Sequence, residues 1–341
     1  MRASETFRVY RATRASRVAA VLGLVALIAL VLAPYWAGRA ELRLLGEVFL
    51  YLSLATLWNL LAGYAGLVSV GQQAYVGLGG YVFFALTIFG GLHPFVALPL
   101  TVIAGAIVSM PVAALIFRLR GAYFAIGTWV IAEVFRLGFA QVGALGGGSG
   151  TSLPVQVVRS LADGRSAREA VTYWMTLGVA VLVIAFAYLF LRARRGLALT
   201  AIRDNELAAA SLGIDIWRTK FVVYVVVGAL TTFVGALIFL TKLRISPEAA
   251  FSVNDWTAFV IFIVVIGGIG SLEGPIIGTV LFFLLRETLA DLGAIYLIVL
   301  GAVAIVIMLV APRGLWGLVR ERTGLTLFPL GYRVDRKKGG Q

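Results

Sequence analysis

The chain has 341 residues, 61% hydrophobic and only 13% charged, with a mean hydropathy of +0.98, which excludes a soluble globular domain. Its net charge of +13 sits in segments between apolar runs, a topogenic pattern rather than a nucleic-acid surface. With no cysteine and one histidine, His93 beside Pro94 at a span end, disulfides, iron–sulfur clusters and a metal centre are excluded.

Ten hydrophobic segments follow in chain order: 18–36, 44–62, 73–91, 93–117, 121–141, 171–191, 221–241, 256–271, 275–290 and 294–311. At 1.5 Å per residue, about twenty apolar residues cross a hydrocarbon core. The reading is therefore an all-α polytopic membrane protein with eight to ten transmembrane helices. The eighth and ninth segments, with only sixteen residues each, are either short crossings or a re-entrant pair. The first segment reads as a retained span, because Ala33-Pro34-Tyr35-Trp36-Ala37 is a poor signal-peptidase site. A basic tail (1–17) precedes the membrane domain (18–311) and a second tail (312–341) follows it.

The distribution of Lys and Arg sets the orientation. With the amino terminus inside, the inner segments hold five in the first tail, two at Arg118 and Arg120, six in 192–220 and seven in the last tail. The outer segments hold two at Arg39 and Arg43, three at Arg159, Arg165 and Arg168, two at Lys242 and Arg244, and Arg286. Twenty against eight satisfies the positive-inside rule, whereas dropping the crossing at 73–91 inverts the balance. Both termini are expected inside.

Glycine marks two interruptions. GYAGLVSVGQQAYVGLGGY (63–81) lies where the second segment hands over to the third, and GGIGSLEGPIIG (267–278) contains Pro275. Glycine permits bent backbone and close helix approach, and broken backbone at membrane depth survives only inside protein or against a cavity. Each single glycine reads most simply as a packing residue. The clusters also offer a polar pathway, whose candidates are Gly66, Ser69, Gly71, Gln72, Gln73 and Tyr75, with Gly267, Gly268 and Gly270. Glu133 and Arg136 share a helix face inside the fifth segment, either as an intrahelical ion pair or as a gating pair.

The island 192–220, RARRGLALTAIRDNELAAASLGIDIWRTK, is polar between two apolar spans. Asp204 is the expected helix cap, with Asn205 and Glu206 in the first turn and Gly213 as a left-handed stop, giving about nine helical residues. Leu207, Ala208, Ser211 and Leu212 form a face suited to a partner's groove, and Arg203 precedes them. A chain without catalytic equipment that displays one structured loop reads as using it as a handle. No phosphate-binding G-x-x-x-x-G-K-[ST] motif is present, so ATP hydrolysis is not expected in this chain, nor is a cofactor.

From about residue 44 to 318 the chain resembles the M-type membrane permeases of ABC importers for branched-chain amino acids. The resemblance rests on seven blocks in order: GYAGLVSVGQQAYVGLGGY, RLRGAYFAIGTWVIAEVFRL (118–137), GGGSG (146–150), AIRDNELAAASLGI (201–214), SPEAAF (246–251), GGIGSLEGPIIG and PRGLWG (312–317). Gln72 and Gln73 stand where histidine and a small residue are common, and Leu197 where a basic residue is usual. The resemblance implies an inner-membrane subunit paired with a homologous H-type permease, two cytosolic ATPases and a periplasmic binding protein. It also implies that 201–214 is the ATPase-coupling loop and that leucine, isoleucine or valine, or a related solute such as urea or an amide, is the cargo. The polar groups Ser69, Gln72, Gln73 and Tyr75, costly against lipid, lead to the reading that the broken segment at 66–80 faces the partner permease and lines the route. An ion-coupled secondary amino-acid transporter is the alternative; it would need an ion site of its own, for which only Glu133 and Arg136 offer charge.

Overall fold

The computed structural model describes residues 7–10, 13–289, 293, 295–330 and 333–336. Parts of both basic tails (1–6, 11–12, 331–332 and 337–341) and of the connection before the last apolar segment (290–292 and 294) lie outside the described residues.

Each of the ten apolar segments is helical over most of its described residues. In order the helices are α1 (Arg14–Val31), α2 (Arg39–Asn59, extended by a π turn over Leu60–Tyr64), α3 (Gln72–Ile88), α4 (Pro94–Ile116) and α5 (Ala122–Ala140). The short α6 (Val155–Arg159) precedes α7 (Arg165–Arg192), α8 (Arg194–Asp204), α9 (Glu206–Ser211) and α10 (Ile216–Lys242). Then come α11 (Pro247–Ala250), a π turn at Asn254–Ala258, α12 (Phe259–Gly267), α13 (Glu273–Thr288), α14 (Ile295–Val310) and α15 (Gly314–Thr323). Among the described residues seven stretches are long and apolar enough to cross a membrane, Pro247–Gly267 being one of them, and α1, α3 and α13 are shorter companions.

Helix α10 is the hub, packed chiefly on α3 and α4, while α2 packs on α7 and α12 on α13. Small residues make the closest crossings. Gly79 of α3 rests on the backbone of Thr232 in α10, and Gly235 of α10 rests on Val76 of α3, so a methyl group at either would strike main chain. Gly267 of α12 meets Gly274 and Gly278 of α13 in the same way. This is small-residue packing of the kind membrane helices use, and it bears out the reading of single glycines as packing residues at these positions. By contrast α4, α5 and α14 keep much of their apolar surface exposed, including Ile103, Ile107, Val130, Val134 and Ile298, as a lipid-facing rim requires.

Hydrogen bonds and ion pairs between distant loops sort the helix ends into two faces. On one, Arg203 reaches Gly63, Asn59 holds Gly270 and Ser271, and Glu273 accepts from Leu327 and Phe328. On the other, Arg39 and Arg43 pair with Glu169, His93 contacts the Ser160 carbonyl, and Arg286 clasps Glu47. There too, β2 (Thr151–Ser152) pairs antiparallel with β3 (Arg244–Ile245). Arg203 thus lies on one face and Arg39, Arg43 and Arg286 on the other, the same two groups into which the charge count divides them. Helices α12 and α13 each run from one face to the other rather than turning back, since α13 begins beside the Gly270 turn and ends at Arg286. The terminal strands β1 (Phe7–Tyr10) and β4 (Arg333–Arg336) pair antiparallel, bringing the two tails together.

Candidate functional site

The island between α7 and α10 folds as a helical elbow. Helix α8 stops at Asp204 because Asn205 adopts an extended conformation (φ −160°, ψ 109°). Asn205 then caps α9, its side-chain oxygen accepting from the Ala208 N–H at 3.0 Å. The expected cap at Asp204 is therefore corrected by one residue: Asp204 ends the preceding helix and is held by Arg203 at 2.9 Å. Helix α9 has six residues rather than nine. Its far end follows the expectation: Gly213 takes φ +80°, Gly213 N–H donates to Ala210 O and Ile214 N–H to Ala209 O, the paired bonds of a Schellman stop.

What α9 presents is apolar. Leu207 and Leu212 are 82% and 80% exposed, Ala208 and Ser211 lie in the open beside them, and only Ala209 turns inward. A helix of six residues has no stability alone, so its placement comes from anchors. Glu206 forms an ion pair with Lys220 in the first turns of α10. Arg203 Nη1 donates to Gly63 O at 2.7 Å.

Gly63 belongs to the π turn that ends α2, a local widening frequent at functional sites. Any side chain at 63 would collide with Asn59 Oδ1 and with the Gly270 backbone. Asn59 completes the junction: its Nδ2 donates to Ser271 O and its Oδ1 accepts from Gly270 N–H, both at 2.8 Å. The elbow, the π turn and the Gly268–Ser271 turn thus form one linked unit. Sequence reasoning passed over Asn59, although an amide alone in an apolar run was a usable signal.

Beyond the π turn the chain doubles back into the protein. Residues 66–71 are not helical, Trp58 Nε1 donates to Ser69 O at 2.8 Å, and Gln72 Nε2 donates to Leu54 O at 2.9 Å. Leu54 lies ten residues before Tyr64, so α3 starts about 15 Å in from the end of α2. The polar side chains of this stretch turn into the chain's own core. Gln73 accepts from Thr257, Tyr75 donates to Tyr224 at 3.1 Å, and Ser69 is buried, while outward it shows Gly66 and Val68. Gly71 lies on the Thr128 carbonyl, where no side chain fits. Gln72 Oε1 and Gln73 Nε2 are buried with no hydrogen-bond partner among the described residues. Ser69, Gln72, Tyr75, Tyr224 and Thr231 line a cavity of about 20 Å³, room for one water molecule but not for an amino acid, so a route here is closed in this conformation.

The structure brings Gly63, Gly270 and the elbow together but leaves Glu133 and Arg136 apart from them. That pair closes on itself within α5, Arg136 Nε lying 2.9 and 3.0 Å from the two carboxylate oxygens. Gly267 and Gly268 support the helix crossing to α13 and the contact with Gly314, respectively.

Residues 42–310 match the family model described as the branched-chain amino acid transport system permease component. The chain is 29% identical over 314 residues to the high-affinity branched-chain amino acid transport permease LivM of Salmonella typhimurium, covering 86% of this chain and 73% of that one. The same figures hold for LivM of Escherichia coli. It is also 24% identical over 263 residues to a probable LivH permease of Methanocaldococcus jannaschii, covering 72% of this chain and 82% of that protein. No solved structure matches.

Proposed function

The chain belongs to the branched-chain amino acid transport permease family, and from that premise we propose that it is the membrane subunit of an ATP-driven importer for leucine, isoleucine and valine. Its partners on this reading are a homologous H-type permease, two cytosolic ATPases and a periplasmic binding protein. The similarity to both LivM and LivH permeases supports the pairing. The distribution of Lys and Arg supports an inner-membrane orientation with the elbow and both termini in the cytosol.

The observation that carries the mechanism is the bond from Arg203 to Gly63. Helix α9 offers Leu207 and Leu212 to a groove on the ATPase, and a six-residue helix moves only with what anchors it. When ATP binding draws the two ATPases together, the elbow is displaced as a unit. Arg203 passes the displacement to the π turn, and the Glu206–Lys220 pair passes it to α10, the hub of the fold. Those two elements wall the buried polar layer of Gln72, Tyr75, Tyr224 and Thr231, so shifting them relative to each other opens the closed cavity to a zwitterionic amino acid. The unpartnered oxygen of Gln72 then finds its donor on the passing ammonium group.

The test is proximity. A single cysteine in place of Leu207 should cross-link to an ATPase subunit in the assembled complex, with a yield that changes on ATP binding. A cysteine at Val155, on the opposite face, should give none. Equal cross-linking at both sites would remove the elbow's role.

A further inference from the structure

The face opposite the elbow is the one that the positive-inside rule keeps poor in cations, yet four of its eight Lys and Arg residues converge on one place. Between α2, α7 and the end of α10 lies a cavity of about 580 Å³, within the size range of small-molecule sites. Arg43, Arg165, Arg168 and Lys242 line it, drawn from three helices far apart in sequence. Their charge is not balanced locally. Arg39, Arg43 and Arg165 share the single carboxylate of Glu169 at 3.4, 3.1 and 3.4 Å, and Glu47 is taken in both oxygens by Arg286 at 2.8 Å. Arg168 has no carboxylate within ion-pair distance among the described residues, and Lys242 lies over the Trp256 ring at 4.7 Å.

Below this cationic mouth the wall is mostly apolar: Leu50, Tyr51, Tyr173, Ile238 and Trp256 line the interior, and the Glu47 carboxylate beside them is held by Arg286. Along α2 the lining runs from Arg43 to Tyr51, about 12 Å of depth at the helical rise. The side chain of an aliphatic amino acid is only two or three bonds deep and would leave most of that wall bare. An acyl chain would cover it. We propose that this cavity holds an anionic membrane lipid, its phosphate at Arg43, Arg165, Arg168 and Lys242 and one acyl chain running inward over the Trp256 and Tyr51 rings. Convergent Arg and Lys donors suit a phosphate, which they hold through charge-assisted hydrogen bonds. The site is separate from the cavity at Gln72, and the inference does not depend on the transport reading.

Delipidated full-length protein in detergent is titrated with phosphatidylglycerol or phosphatidylcholine bearing brominated acyl chains. The signal is the part of the tryptophan quenching that is lost in Trp256→Phe. It should saturate at one phosphatidylglycerol per chain, with phosphatidylcholine weaker by about tenfold. Arg168→Gln with Lys242→Gln, neither of which strands a carboxylate, should abolish the preference. Thr241→Phe, which fills the cavity from an exposed position and keeps every cation, should abolish the signal. Equal binding of the two lipids, a preference that survives the double substitution, or displacement by free leucine would each overturn the assignment.

Discussion

Replacing Arg203 by alanine cuts the hydrogen bond to Gly63 that joins the elbow directly to the broken helix. A hydrogen bond from a charged donor to a backbone carbonyl contributes about 1.5–3 kcal/mol. The Arg203 side chain is 38% exposed, so solvent competes and the low end applies. About 1.5 kcal/mol corresponds to roughly a tenfold change in how often displacement of the elbow reaches Gly63. The assay is the complete importer in proteoliposomes, measuring amino-acid uptake and ATP hydrolysis in the same preparation. ATP hydrolysis should persist, while uptake per ATP hydrolysed falls about tenfold. Arg203→Lys should recover part of the loss, since a lysine offers the carbonyl a charged donor without the planar fork. Asp204→Ala, which removes only the surface partner of Arg203, is the control and should keep the ratio. An unchanged ratio in Arg203→Ala would refute the reasoning, and so would equal loss of uptake and hydrolysis.

Three further outcomes follow from the same geometry. Asn205→Ala should destabilise α9 by about 1 kcal/mol, seen as faster amide exchange at Ala208, whereas Asp204→Ala should leave that amide protected. Gly213 has open space around it and is constrained only by its positive φ, so Gly213→Asn should transport nearly normally and Gly213→Val should not. The chain has no native cysteine, so single cysteines report topology cleanly. Val155→Cys should react with an impermeant reagent on intact cells and Ser211→Cys only after permeabilisation, the opposite pattern being incompatible with the orientation.

Hydropathy made the helices legible because burial in lipid leaves a one-dimensional trace: twenty apolar residues are visible without any partner. The elbow was half legible. Gly213 could be placed because only the left-handed stop calls for it, but Asp204 and Asn205 are both good caps, and the choice fell to an extended backbone at Asn205 that tertiary packing imposes. Helix α8 left no trace because RRGLALTAIRD is neither apolar nor strongly periodic. The depth of α3 could not be read either. It depends on Gln72 reaching Leu54 and Gly71 lying on Thr128, contacts whose partners are eighteen and fifty-seven residues away. The convergence of Arg43, Arg165, Arg168 and Lys242 is likewise a property of the fold: charge counting placed all four on one side but could not show that they meet.

The most direct test of the whole account is leucine uptake by proteoliposomes containing this chain, its partner permease and the ATPases, with the binding protein supplied on the uptake side. Uptake should require ATP and this subunit, and should continue when proton and sodium gradients are collapsed. Uptake that runs on an ion gradient without ATP would contradict the account and make the chain a secondary transporter.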